Sequence, residues 1–104
     1  MATLSVVVAQ IYNPKIGYKD PVPSAVALAS AAITTSGTSQ QTAFSTDGST
    51  FGGFWVITAT GGNVWVKFGA NPTAAAGDQW LILDGQTRDF AVDAYAQKLA
   101  VIDA

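Results

Sequence analysis

The sequence predicts an all-β chain: a single antiparallel β-sandwich or jelly-roll-like domain of about eight short strands, with an extended N-terminal arm. Three observations carry that expectation. Short runs rich in Val, Ile, Thr, Phe and Trp recur between clusters of Gly, Asn, Asp and Pro, the rhythm of strands and turns in sandwiches and barrels. Glutamate is absent, so the capping boxes and i,i+4 ion pairs that usually support helices cannot be built. The best-defined run, GGNVWVKFG, alternates Val64, Val66 and Phe68 with Asn63, Trp65 and Lys67, as a half-buried strand does. The 104 residues are enough for one domain, which buries about two-thirds of its unfolded surface without needing disulfides or metals.

Strands are expected near 4–11, 31–35, 40–45, 53–60, 63–69, 79–83, 88–92 and 98–102. The first 24 residues differ in kind from the rest. LSVVVAQIYNPKIGYKDPVPS begins as a strand, then runs through Asn13-Pro14 and Pro21-Val22-Pro23, whose restricted dihedrals favour extended chain. With Val6, Val8, Ile11, Tyr12, Ile16 and Tyr18 it is too apolar for a solvated tail. Two readings stand: an edge strand and loop that close the domain's own core, or an arm that docks on a neighbour. The corresponding division is an arm over 1–24 and a sandwich over 25–104. PSAVALASAA, residues 23–32, has the composition of a helix capped by Ser24, and equally that of an extended linker leading into a strand.

Gly61-Gly62 reads as a two-residue hairpin turn. Thr60 would then pair with Asn63, placing Trp55, Ile57 and Ala59 beside Val64, Val66 and Phe68 on one apolar face. Trp55 is thereby a core residue, whereas Trp65 shares the opposite face with Lys67. WLILDGQTRDFAV suggests two strands joined around Asp84-Gly85, aligned Leu81 with Phe90 in a hairpin or divided between two sheets in a Greek key. KLAVI closes the chain with Leu99 and Val101 inward.

Composition excludes several functions. Five Lys and Arg stand against seven Asp, and the five cations are scattered, so a nucleic-acid groove lacks its electrostatic footprint. MATLSVVVAQ has neither the basic start nor the apolar length of a signal peptide, and no run is long enough to span a membrane, so a soluble protein made in the cytosol is expected. Without His, Cys or a Gly-x-Ser-x-Gly elbow, Ser or Thr has no base to activate it. Asp47, Asp78 and Asp84 sit beside glycines as turn residues do, and Asp89 and Asp93 read as exposed positions, so neither a carboxylate pair nor a calcium loop is expected. The chain therefore reads as a non-enzyme without cofactor or metal.

Aromatic residues remain. Trp55, Trp65 and Trp80 with Tyr12, Tyr18 and Tyr95 suit a sugar platform or anchors in a protein interface, and Trp65 suits packing under its own chain. Charged residues make up only 12% of the chain, which favours a surface partly covered by other protein.

From about residue 31 onward the chain resembles a class of small β-sandwich structural proteins of tailed-bacteriophage virions. The carrying stretches are TSGTSQQTAF (35–44), FWVITATGGNVWVKFGANPTA (54–74), LILDGQTRDFAV and KLAVIDA, above all the strand ending in Phe-Gly followed by Asn-Pro-Thr-Ala. The resemblance implies a capsid decoration, or cement, protein: a homotrimer on the outer capsid surface that binds the major capsid protein and stabilises the shell. On that reading Ile11, Tyr12, Tyr18 and Pro21 belong to a docking arm, and Trp65 and Lys67 mark an interface face. The alternative is a carbohydrate- or host-receptor-binding module of a phage tail or head fibre.

Overall fold

A computed structural model of the chain describes residues 2–12, 22–47 and 52–104. Its strands are β1 (Thr3–Tyr12), β2 (Val22–Thr34), β3 (Gln40–Gln41), β4 (Phe54–Thr60), β5 (Val64–Gly69), β6 (Trp80–Ile82), β7 (Thr87–Ala91) and β8 (Lys98–Asp103), with no helix among the described residues. They form two four-stranded sheets, ordered β2-β1-β4-β7 and β3-β8-β5-β6, in which every pairing is antiparallel. The expected all-β sandwich is thus the observed fold.

The N-terminal segment is built into the centre of the first sheet. β1 pairs with β2 on one side and β4 on the other, and Leu4, Val6 and Val8 are fully buried. The alternation of Leu4, Val6 and Val8 with Thr3, Ser5 and Val7 gives the strand one core-facing side, which makes it structural rather than a detachable arm. Beyond Ala9, where its pairing with β4 ends, β1 continues with β2 alone as far as Tyr12 opposite Val22. A division at residue 24 therefore falls inside β2.

Residues 23–32 are strand, not helix. Alanine's helix preference is a fraction of a kcal/mol per residue, and the long edge that β1 offers for backbone pairing outweighs it. The small side chains suit a strand packed against a sheet, since Ala29 and Ile33 reach the core on alternate positions.

The segment through Gly61-Gly62 is also not a hairpin. β4 pairs with β1 and β7, whereas β5 pairs with β6 and β8, so the chain crosses from one sheet to the other as an arch. Apolar alternation cannot separate the two cases, because both direct Trp55, Ile57, Ala59, Val64 and Val66 toward the same core. Backbone pairing decides: both edges of β4 and of β5 are already taken. The stretch 80–91 behaves the same way, with β6 in one sheet and β7 in the other, as the Greek-key reading had it.

The two arches are laced together at one end of the sandwich. The Gly61 amide donates to Asp84 Oδ1 (2.9 Å), the Asp84 amide to Asn63 Oδ1 (2.8 Å) and the Gly85 amide to the Ala59 carbonyl (2.8 Å). Gly61 and Gly85 take φ of 90° and 79°, which residues with a Cβ adopt only under strain. The Gln86 amide bonds back to the Leu83 carbonyl (2.9 Å), so Asp84 and Gly85 occupy the middle of a four-residue turn.

Three buried threonines tie the irregular segment 35–46 to the rest. Thr35 Oγ1 accepts from the Ala2 amide (2.8 Å) and meets the Asp103 carboxylate. The Thr42 amide donates to the Leu99 carbonyl while its hydroxyl accepts from the Leu99 amide, and the Thr46 amide and hydroxyl do the same with Gln97.

Candidate functional site

The sheet orders set two edges apart. β2 and β3 lie on one side of the sandwich, β6 and β7 on the other. Each edge carries a feature that sandwich stability alone does not require.

On the first side, β2 runs thirteen residues with one neighbour among the described residues, β1, and contains no charged side chain. Natural sheets usually blunt such an edge with lysine, proline, bulges or brevity, because its unpaired amides and carbonyls template pairing with another chain. Here Pro23 and register shifts opposite Ala9, at Leu28 and between Pro23 and Ala27, interrupt its first half, while Ala29 to Thr34 pairs without a break. From Ala27 to Thr34 the strand exposes Ala27, Leu28, Ser30, Ala32 and Thr34, leaving its outer surface uncharged.

On the other side, the gap between β6 and β7 opens into a cleft of about 330 Å³ lined by Trp55, Phe68, Gln79, Trp80, Phe90, Ala91, Asp93, Ala94 and Gln97. Its spine is a row of rings crossing the sandwich. Trp55 stacks on Phe44 (5.8 Å between centroids) and meets Phe68 (5.2 Å), Phe68 meets Phe90 (5.1 Å), and Phe90 meets Trp80 (5.2 Å). The strand alternation explains the row, since Trp80 pairs opposite Val66, and Phe90 opposite Trp55, both partners being core residues. Trp55 is buried, as expected, whereas Trp80 is 43% exposed because β6 is the outermost strand.

Arg88 closes the row. It lies opposite Ile57 on β7, and its guanidinium sits 5.2 Å from the Trp80 ring and 5.3 Å from the Phe90 ring. An inward-pointing cation on an edge strand protects that edge from pairing and holds the indole in place.

Backbone constraints fix the remaining walls. Gln79 has φ of 70°, an uncommon conformation for a residue with a side chain, and Ala96 has φ of 54°. Gln79 is held from two sides: its Oε1 accepts from the Phe68 amide (3.2 Å), while the preceding Asp78 pairs with Lys67 (2.9 Å). The opposite wall hangs from Thr46, whose hydroxyl donates to the Ala94 carbonyl (2.7 Å) and accepts from the Gln97 amide (3.0 Å), and whose carbonyl accepts from the Ala96 amide (2.8 Å). Among the described residues no three metal-ligating side chains converge.

The residues singled out from the sequence are scattered. Ile11 and Tyr12 lie in the two-stranded extension of β1, and Tyr18 and Pro21 lie outside the described residues. Trp65 is half-buried on the outer face of the second sheet, paired opposite Leu81 and Ile102. Lys67 neutralises Asp78 within the chain. Near it the connection after β5 folds over the outer face: the Gln41 side chain donates to Asn71 Oδ1 and the Pro72 carbonyl, and the Ala74 amide donates to Ser39 Oγ. Sequence reasoning placed Trp80 among candidate platform residues but not Gln79, Asp93 or Gln97 around it. The WLI-to-DFA alternation carries the ring row, while the strained Gln79 leaves no trace in composition.

No protein-family model matches the chain, and neither a curated protein nor a solved structure matches it.

Proposed function

We propose that this chain is a non-enzymatic structural protein of a virion shell, a capsid decoration protein that assembles with copies of itself, as a trimer, and binds the major capsid protein on the outer surface. The observation that supports this reading best is the long uncharged edge of β2. A protein living alone gains nothing from such an edge and risks aggregation, whereas a protein that assembles uses its backbone groups for strand addition. The extension of β1 and β2 past the sandwich lengthens the same edge beyond the domain body. Low surface charge fits a surface that meets other protein, because desolvating charged groups would oppose association.

The test is solution mass by light scattering, followed by co-sedimentation with tailed-phage capsid shells, for the natural chain and for Leu28→Lys/Ala32→Lys. Both positions are exposed and outside the core, so the fold should survive and the edge should become charged. A trimer that binds shells and falls to monomer in the double variant supports the proposal. A natural chain that stays monomeric at high concentration and does not sediment with shells refutes it. Deleting residues 1–22 is not a useful alternative, because it removes Leu4, Val6 and Val8 from the core.

A further inference from the structure

We infer that the cleft between β6 and β7 binds a neutral saccharide, with Trp80 as the stacking surface and Gln79, Asp93 and Gln97 as hydrogen-bonding groups. This site is independent of the assembly edge, since β2 and β7 are at opposite ends of the first sheet. A decorated shell could therefore use both at once.

The argument rests on the pairing of surfaces inside the cleft. One side is aromatic: Trp80, Phe90, Phe68 and the rim of Trp55. The other is polar, with Asp93 exposed and engaging no partner among the described residues, and Gln79 bonding through its oxygen only. A pyranose has the same division, an apolar face of C–H groups and a rim of hydroxyls. Its C–H face complements the electron-rich face of an indole, and its hydroxyls can donate to a carboxylate while accepting from an amide N–H. A cleft of about 330 Å³ is at the small end of ligand sites, suiting one or two sugar rings.

Three other occupants fit less well. An apolar side chain of a partner protein would cover Trp80 but desolvate Asp93 and the Gln79 amide without replacing their water. A quaternary ammonium would seek the ring faces, yet the Arg88 guanidinium already sits over Trp80 and Phe90 and repels a second cation. An anionic ligand would meet the Asp93 carboxylate.

Pre-organisation supplies an independent observation. The one strained non-glycine residue that lines the cleft, Gln79, directly precedes Trp80, and the other, Ala96, directly precedes Gln97. Backbone strain costs about 1–3 kcal/mol per residue and persists where surrounding bonds over-determine it, which is common at ligand sites. Here it sets the two opposing walls of one opening.

The experiment is a titration of the full chain, followed by tryptophan fluorescence and by amide NMR shifts. The probes are glucose, galactose, N-acetylglucosamine, rhamnose, maltose and cellobiose, each to high millimolar concentration, together with a glycan array. Tetramethylammonium chloride and a tryptophan-containing tripeptide serve as the competing chemistries. The expected result is saturable binding of at least one saccharide, with shifts confined to Gln79, Trp80, Phe90, Asp93 and Gln97. Binding should fall at least tenfold in Trp80→Ala. Because that variant loses ring packing, Asp93→Ala, at an exposed position, provides the second measurement and should weaken binding severalfold at unchanged melting temperature. The inference is overturned if no saccharide on the panel or array binds, if binding survives both substitutions, or if only the ammonium or the peptide saturates the cleft.

Discussion

Thr46 is the residue whose replacement tests the construction of the cleft wall most directly. It is 3% exposed, and its hydroxyl serves two backbone groups of the 94–97 segment, the Ala94 carbonyl and the Gln97 amide. Thr46→Val keeps the shape and removes both bonds. Each lost bond costs a net of about 0.5–1.5 kcal/mol, and the half-exposed Ala94 and Gln97 let water reach the freed groups, so the total should be roughly 1–3 kcal/mol. For a domain of this size that corresponds to a fall in Tm of about 4–8 °C per kcal/mol. Thermal unfolding by circular dichroism measures it, and hydrogen exchange at the Gln97 amide should accelerate before the rest of the sheet. Thr46→Ser, which keeps the hydroxyl and loses one methyl, should cost less than half as much. A Thr46→Val protein that melts like the natural one, or a serine variant that loses as much as valine, would refute the claim that the hydroxyl anchors this wall.

Other outcomes follow from the same geometry. Gly85→Ala should cost about 1–2 kcal/mol in urea unfolding, because φ of 79° disfavours a Cβ although open space surrounds the position. Lys67→Met should change stability by less than about 1 kcal/mol, since both partners of the Lys67–Asp78 pair are only half-buried and reach solvent, and the difference should shrink further in high salt. Trp65→Ala should lower stability by about 1–2 kcal/mol through lost contact on the outer face of the second sheet. If Trp65 also takes part in assembly, that loss grows with protein concentration in equilibrium unfolding, and a concentration-independent loss confines its role to the single chain.

The pattern of the sequence by itself determined the all-β class, the approximate strands, the inward faces of β4, β5 and β8, and the turn at Asp84-Gly85. These depend on neighbours two to four residues apart: alternation fixes which side of a strand is apolar, and glycine fixes where φ turns positive. What lies across the sheet was decided only in three dimensions. Trp55 and Phe68 face the core whether their strands are joined by a hairpin or by an arch, so composition could not show that they belong to different sheets. Residues 23–32 carry helical alanines, and only the presence of β1 beside them makes a strand the better solution for their backbone groups. The two edges show the same division. That β2 is uncharged is plain in the sequence, but that it is an edge is a property of strand order. Trp80 becomes a half-open ring beside Gln79 and Asp93 because β6 ends one sheet and β7 ends the other, and a chain cannot record in local spacing which of its strands will be left without a neighbour.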